Sequence, residues 1–281
     1  MIAINKLLCN HSYFSIFYRK LNQIFFVLFN SLSYKHKMSL LWDSAVDGYS
    51  FNHPKISFGS YNLIEPADDE TKMTSLVMEI KYPKGSRAGQ ANKGGCGFLS
   101  NPKSCFPAVE MGFEYKVLFA EGFDFVLGGK LPGLYGGDAG ACGGKKISSG
   151  FSSRVMWRKS GETELYLYIP ARQHTDLKKI TTHRDKFGSS IPVKDFCFKR
   201  NTYHKVRIYL KLNTLRNLDG MIKLYIDDKC YIDYQKMNFA DLADQKINGI
   251  FFNTFFGGQS DEWASTLDTY TRFKDFKLFI N

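Results

Sequence analysis

From about residue 73 onward the chain alternates apolar and polar positions with a period of two. Leu76, Met78 and Ile80 alternate with Val77, Glu79 and Lys81. Val206, Ile208, Leu210 and Leu212 alternate with Lys205, Arg207, Tyr209 and Lys211, and Ile222, Leu224 and Ile226 with Lys223, Tyr225 and Asp227. Successive side chains of a strand point to opposite faces, so this pattern predicts strands with one buried and one wet face. Further strand-like runs cover 113–119, 151–158, 163–169, 248–256 and 270–280, separated by turns rich in Gly, Asn and Pro. Asn217-Leu218-Asp219-Gly220 is a hairpin signal between two of the strands. A short helix is expected over 239–245, and 84–104 reads as a mobile, basic surface loop bordering a cleft. There is no internal repeat and no long amphipathic helix. Many alternating strands with Gly-rich connections predict an all-β antiparallel sandwich.

Composition fits that architecture. A chain of 281 residues is ordinary for one all-β sandwich, and 44 % hydrophobic residues suffice for a sizeable core. Aromatics reach 16 %, which suits strands and carbohydrate clefts alike. The net charge is +11; residues 1–37 hold Lys6, Arg19, Lys20, Lys35 and Lys37 and no acid, so +5 sits there and +6 (11 − 5) on the rest. Those 37 residues read as an extension, a weak targeting segment or an upstream mis-start, followed by one domain over 38–281. The apolar run 24–29 is too short to cross a bilayer, so no membrane span is expected. A moderately basic body suits an acidic partner, although plain solubility charge explains it equally well. Lys145-Lys146 and Lys178-Lys179 are pairs and not stripes, so nucleic acid is not expected as a partner. The six cysteines show no C-x-x-C and no zinc spacing, so no metal or other cofactor is expected. Cys96 and Cys105 could close their loop as a disulfide, and scattered free thiols fit equally.

Three segments could carry chemistry. In 163–169, Leu165, Leu167 and Ile169 share one face while Glu164, Tyr166 and Tyr168 share the other. Taken alone, the two tyrosines read best as a sheet-stabilising aromatic pair. In 151–158, Ser152, Arg154, Met156 and Arg158 share a face. The short turn Lys159-Ser160-Gly161 makes the two strands hairpin neighbours, so Ser152, Arg154, Tyr166 and Tyr168 converge if their polar faces coincide. Arg154 could then grip a carboxylate bidentately. The third segment, Gly128 to Gly137, sets Lys130 among many glycines, which suggests a backbone that bends tightly or approaches a ligand. No phosphate-binding G-x-x-x-x-G-K-[ST] and no nucleophile elbow G-x-S-x-G occurs, and no strand offers the paired carboxylates of a retaining glycoside hydrolase. His183 and His204 could line a cleft, with an ordinary surface or core role as the simpler reading.

Residues 113–137, ending Leu-Gly-Gly-Lys-Leu-Pro-Gly-Leu-Tyr-Gly-Gly, resemble the signature of polysaccharide lyase family 14. So do 151–158, Phe-Ser-Ser-Arg-Val-Met-Trp-Arg, then Glu-Leu-Tyr-Leu-Tyr at 164–168, Phe-Phe-Asn-Thr-Phe-Phe-Gly-Gly at 251–258, Trp263 and the closing Phe-Lys-Asp-Phe at 273–276. The resemblance covers roughly residues 60–281. It implies a β-jelly-roll sandwich of two antiparallel sheets with a cleft on one of them. It also implies β-elimination on a 4-linked polyuronate, glucuronan or alginate, with Lys130, Ser152, Arg154, Tyr166 and Tyr168 as the catalytic set. Tyr135, Arg158, Asn253 and Gln259 are the expected substrate contacts. In this scheme the cations neutralise the uronate carboxylate, lower a tyrosine pKa, and leave the tyrosines to move protons. A secreted or virion-associated monomer is expected. Leu127 departs from the basic residue many relatives place before the two glycines, and Phe151 from a cysteine-flanked variant, which leaves substrate choice open. A non-catalytic jelly roll that binds acidic glycans is the alternative, and only a lyase creates a new double bond.

Overall fold

The alternating segments become strands, and the strands form two antiparallel sheets that bury their apolar faces against each other. The computed structural model describes residues 38–52, 55–65, 76–90, 94–102, 105–138, 141–142, 149–183 and 188–280. The expected extension, 1–37, lies outside the described residues. One sheet contains β1 (Ser39–Asp43), β3 (Asn62–Ile64), β4 (Val77–Tyr82), β6 (Glu110–Phe119), β12 (Tyr203–Lys211), β13 (Gly220–Ile226), β14 (Lys229–Met237) and β16 (Thr269–Ile280). Its order is β14-β13-β12-β6-β16-β4-β3, with β1 also on β16. The other contains β2 (Ile56–Gly59), β5 (Cys96–Ser100), β7 (Gly128–Gly137), β8 (Gly150–Arg158), β9 (Glu162–Tyr168), β10 (Thr182–His183), β11 (Ser189–Cys197) and β15 (Ile247–Phe256). Its order is β10-β11-β9-β8-β7-β15-β5-β2. The result is the expected β-jelly-roll sandwich.

The inward positions are those the alternation marked: Val206, Ile208, Leu210, Ile222, Leu224 and Ile226 are all buried. The 217–220 signal lies in the connection between β12 and β13, which pair from Val206↔Ile226 to Lys211↔Met221. Aromatic rings fill much of the space between the sheets. Phe98 stacks flat on Phe252 at 4.6 Å, and Trp157 meets Phe256 edge-on at 5.5 Å. Such rings bury large apolar areas and lock through their edge-and-face geometry. A buried trio of hydroxyls stitches the sheets together: Tyr82 bonds Thr271 at 2.8 Å beside it and Thr254 on the opposite sheet.

The structure departs from the sequence expectations in three places. Part of the expected surface loop, Cys96–Ser100, is a buried strand, because Phe98 belongs to the aromatic core and the strand pairs with β15. The Gly-rich segment around Lys130, read as a backbone that bends tightly or approaches a ligand, is a central strand paired on both edges. Residues 239–245 form no helix. The reason lies in Asn213, whose side-chain oxygen accepts from the Phe239 and Ala240 N–H groups at 2.8 and 2.9 Å, and whose amide donates to the Ala240 carbonyl at 2.9 Å. The Asn213 amide thus occupies the Ala240 carbonyl, which a helix would have offered to the N–H four residues on, and holds the stretch as an irregular turn. Cys96, Cys142, Cys197 and Cys230 are free thiols, so no bridge joins Cys96 to Cys105, and burial pushes the Cys96 thiol up to about 12. Among the described residues no helix is long and apolar enough to cross a membrane.

Asn213→Ala is expected to lower the unfolding free energy by about 2–4 kcal/mol, since it orphans two buried backbone donors. Urea unfolding monitored by tryptophan fluorescence checks this, and a wild-type midpoint would refute the capping role.

Candidate active site

The second sheet has an outward face, and three rows of side chains cross it in register. Tyr168, Ser152 and Tyr135 form the first, from β9 through β8 to β7. Tyr166, Arg154, Gly133 and Phe251 form the second and extend it to β15. Glu164, Met156, Lys130 and Phe255 form the third. Lys130, Ser152, Arg154, Tyr166 and Tyr168 therefore meet on one patch, and the three-residue turn Lys159–Gly161 joins β8 to β9 as the sequence implied.

The patch is not the wet face the alternation suggested. Ser152, Arg154, Tyr166 and Tyr168 are only 0–8 % exposed. Ala141 closes over them, packing against Met156, Tyr166 and Tyr168 and accepting the Ser152 hydroxyl at 2.6 Å. Period-two patterning separates the two faces of a strand but does not say whether chain from elsewhere covers the polar one.

Arg154 sets the electrostatics. Its guanidinium lies 4.5 Å from the centre of the Phe251 ring and 5.8–5.9 Å from those of Tyr168 and Tyr166. Its Nε has no hydrogen-bond partner, and among the described residues no carboxylate pairs with it. Burial lowers its pKa, opposed by Cys142, Tyr168 and Tyr166 nearby. Burying a cation without its counter-ion costs several kcal/mol. An aromatic face returns about 0.5–2 kcal/mol of that. In the register the residue between Arg154 and Phe251 is a glycine, and the close approach of the neighbouring backbone leaves no room there for a side chain. Gly133 stands opposite both, and a Cβ there would collide with the Ser153 carbonyl oxygen.

Lys130 comes in from the next row. Its ammonium sits 3.2 Å from the centre of the Tyr166 ring and donates to the Met156 sulfur at 2.7 Å. The Tyr166 and Tyr168 hydroxyls are 3.3 Å apart. Here the structure differs from expectation, because the Tyr166 pKa is raised and not lowered. Burial is the largest cause, the Tyr168 hydroxyl adds to it, and Arg154 and Arg158 only partly offset it. Desolvation of the phenolate outweighs two nearby cations.

The expected substrate contacts are distributed differently. Tyr135 is half-buried beside Phe251, ring centres 6.1 Å apart, and burial raises its pKa. Arg158 ends the row of β8, but its Nε and a terminal nitrogen go to Glu164 at 2.7 and 2.6 Å. Asn253 lies on the outward side of β15 between Phe251 and Phe255. Gln259 is exposed in the turn beyond that strand. His204 is on the other sheet, where it accepts from the Lys199 N–H at 3.0 Å and meets Asp227 at 2.7 Å, a structural role; the His183 side chain lies outside the described residues. Among the described residues no three His, Cys, Asp or Glu side chains gather as a metal site would need. Sequence reading missed Phe251 and Glu164. Phe251 belongs to a segment, Phe251-Phe252-Asn253-Thr254-Phe255-Phe256, in which phenylalanines stand in adjacent pairs, so a period of two puts one of each pair on each face and does not say which face is core.

Fold and site together define a jelly-roll protein with a buried patch of cations and aromatic rings on one sheet. Residues 70–276 match the profile of polysaccharide lyase 14, and the chain belongs to that family. It is similar to Exolysin of Paramecium bursaria Chlorella virus 1, 27 % identical over 186 residues. That match takes in 59 % of this chain and 28 % of the viral protein, so the chain spans well under half the length of that relative. Among solved structures it is similar to the PL-14 alginate lyase of the marine Aplysia kurodai, at 30 % identity and a TM-score of 0.73, over 85 % of this chain and 98 % of that one. An alginate lyase from Chlorella virus shares the fold at 24 % identity and a TM-score of 0.70, over 85 % and 99 %.

Because burial holds Tyr166 in its protonated form, Tyr166→Phe is expected to leave the tyrosinate absorbance unchanged up to about pH 11. Loss of absorbance in that variant between about pH 8 and 10, close to the ordinary phenol pKa, would show that the cations prevail instead.

Proposed function

We propose that this chain cleaves a 4-linked polyuronate, alginate or glucuronan, by β-elimination. The observation that carries the reading is the buried Arg154 guanidinium, whose Nε has no partner and beside which, among the described residues, no carboxylate stands. Buried polar groups without partners are uncommon, and at functional sites a ligand supplies what is missing. A uronate carboxylate matches the bidentate geometry of a guanidinium. Membership of polysaccharide lyase 14 and likeness to the alginate lyases support the same substrate class.

The reaction makes three demands. Arg154, with Lys130 beside it, neutralises the C6 carboxylate, which acidifies the C5–H and stabilises the carbanion-like state. The C5 proton leaves to a base, the C4–O4 bond breaks, a C4–C5 double bond forms, and O4 receives a proton. Tyr166 enters with its proton in place, as its raised pKa dictates, and serves as the acid toward O4. The C5 proton goes to a second group: to Lys130 as the free amine, in which case Arg154 alone neutralises the carboxylate, or to Tyr168 as a phenolate, in which case Lys130 stays an ammonium. Ser152 holds Ala141 over the patch by donating to its carbonyl. Tyr135 borders the site as a substrate contact.

Unsaturated uronate absorbs in the ultraviolet, so activity is read directly on alginate and glucuronan. Arg154→Ala and Tyr166→Phe are each expected to lower kcat by about 10²–10³ or more, the scale for losing one group that stabilises transition-state charge. Lys130→Ala is expected to be inactive, and rescue by small alkylamines identifies Lys130 as the base. Full activity in all three variants would sink the assignment.

A further inference from the structure

The outward face of the second sheet changes character across its width. β7, β8 and β9 carry Lys130, Arg154, Arg158, Glu162 and Glu164. β2, β5 and β15 contain no charged residue. What they present instead is aromatic. Phe255 is half-buried on β15, opposite Lys130. Phe58 reaches over from β2, its ring 5.6 Å from that of Phe255 and nearly perpendicular to it. It lies across Gly97, where a Cβ would run into the ring.

Asn253 stands in the middle of this neutral half. Its neighbours Phe252 and Thr254 point into the core, Thr254 toward Tyr82, so Asn253 points outward with Phe251 and Phe255. It is 9 % exposed, and its side-chain oxygen has no hydrogen-bond partner. An amide oxygen kept from water among rings that cannot satisfy it is a costly arrangement unless a ligand donates to it. The second row runs unbroken from Arg154 through Gly133 to Phe251, so this half is continuous with the charged patch.

We propose that the β2–β5–β15 half is a second sugar subsite, beside the one at Arg154, and that it recognises a pyranose ring without using its carboxylate. One face of a pyranose carries only C–H bonds and can lie on Phe255 and Phe58, while its edge carries hydroxyls that can donate to Asn253. No cation stands on these strands to demand or reward a carboxylate there. The polymer is read by charge at one sugar and by shape and one hydroxyl at the next. The inference rests on the polyuronate reading above and deepens it.

The test uses a polyuronate with part of its carboxyl groups reduced to primary alcohols, digested by the wild-type protein and sequenced by mass spectrometry. Neutral residues should persist at one flank of the cleaved bond as often as in the starting polymer, while every new unsaturated end derives from a uronate. Exclusion of neutral residues from both flanks would overturn the proposal. Asn253→Leu and Phe255→Ala should raise KM by about tenfold with kcat within about twofold, whereas Phe255→Tyr should stay near wild type. A fall in kcat and melting temperature with KM unchanged would mark these residues as structural and refute the subsite. A second measurement separates this idea from the lyase reading: gel retardation by partly reduced polymer, compared between Lys130→Ala and Lys130→Ala/Phe255→Ala. If the wild type forms no unsaturated ends on any polyuronate, the lyase reading fails, yet weaker retardation of the double variant still supports the subsite and equal retardation still removes it.

Discussion

The Arg154 guanidinium lies in the sheet with no acid among the described residues to neutralise it, and much around it serves to keep it there. Phe251 offers the face of a ring, and Gly133 stands between the two on the intervening strand. Tyr166 and Tyr168 flank the guanidinium with polarisable rings. A carboxylate in the same position would stabilise the empty protein more, because it would pair a buried charge. It would also occupy the place where a uronate belongs. The missing acid therefore reads as stability forgone so that affinity for an anion is retained, as functional sites commonly show. Arg158 provides the contrast within the same strand. It has its acid, Glu164, and is thereby removed from the charge available to a ligand.

The same burial decides the protonation of the neighbouring phenol. Two arginines favour the Tyr166 phenolate, but the loss of solvation is larger, and the proton stays. In the proposed reaction this phenol is therefore an acid that still holds its proton when the anion arrives. Lys130, held over the same ring and against a thioether, contributes a cation to the pocket. The sandwich beneath supplies the rigidity such an arrangement requires. Phe252, Phe256 and Trp157 anchor β15 and β8 from their inner faces, so the outer residues of those strands are fixed by core packing.

The sequence alone determined the strands, because side-chain direction along a strand has a period of two and the core faces of β12 and β13 show it cleanly. It also made the two strands hairpin neighbours across a three-residue turn, so that Ser152, Arg154, Tyr166 and Tyr168 would converge if their polar faces coincided; the pairing of Ser152 with Tyr168 and Arg154 with Tyr166 came from the register. The Gly-rich stretch around Lys130 resisted the same reading: glycine carries no face, so a central strand looks like a loop until its partners on both edges are known. The resemblance to polysaccharide lyase 14 supplied Lys130, which periodicity by itself could not connect to the hairpin.

Tertiary structure decided the rest, for one physical reason. The pairings of β7 with β15 and of β15 with β5 join segments far apart in the chain, and no local pattern encodes their register. That register places Phe251 against Arg154, sets Asn253 among rings, and divides the sheet into a charged half and a neutral half. The cover provided by Ala141 is likewise a contact between distant parts of the surface, and it turns an apparently solvated face into a buried one. Sequence determined which side chains share a strand face; only the assembled sheets decided which of those faces would be dry, and which charges on them would be left without a partner.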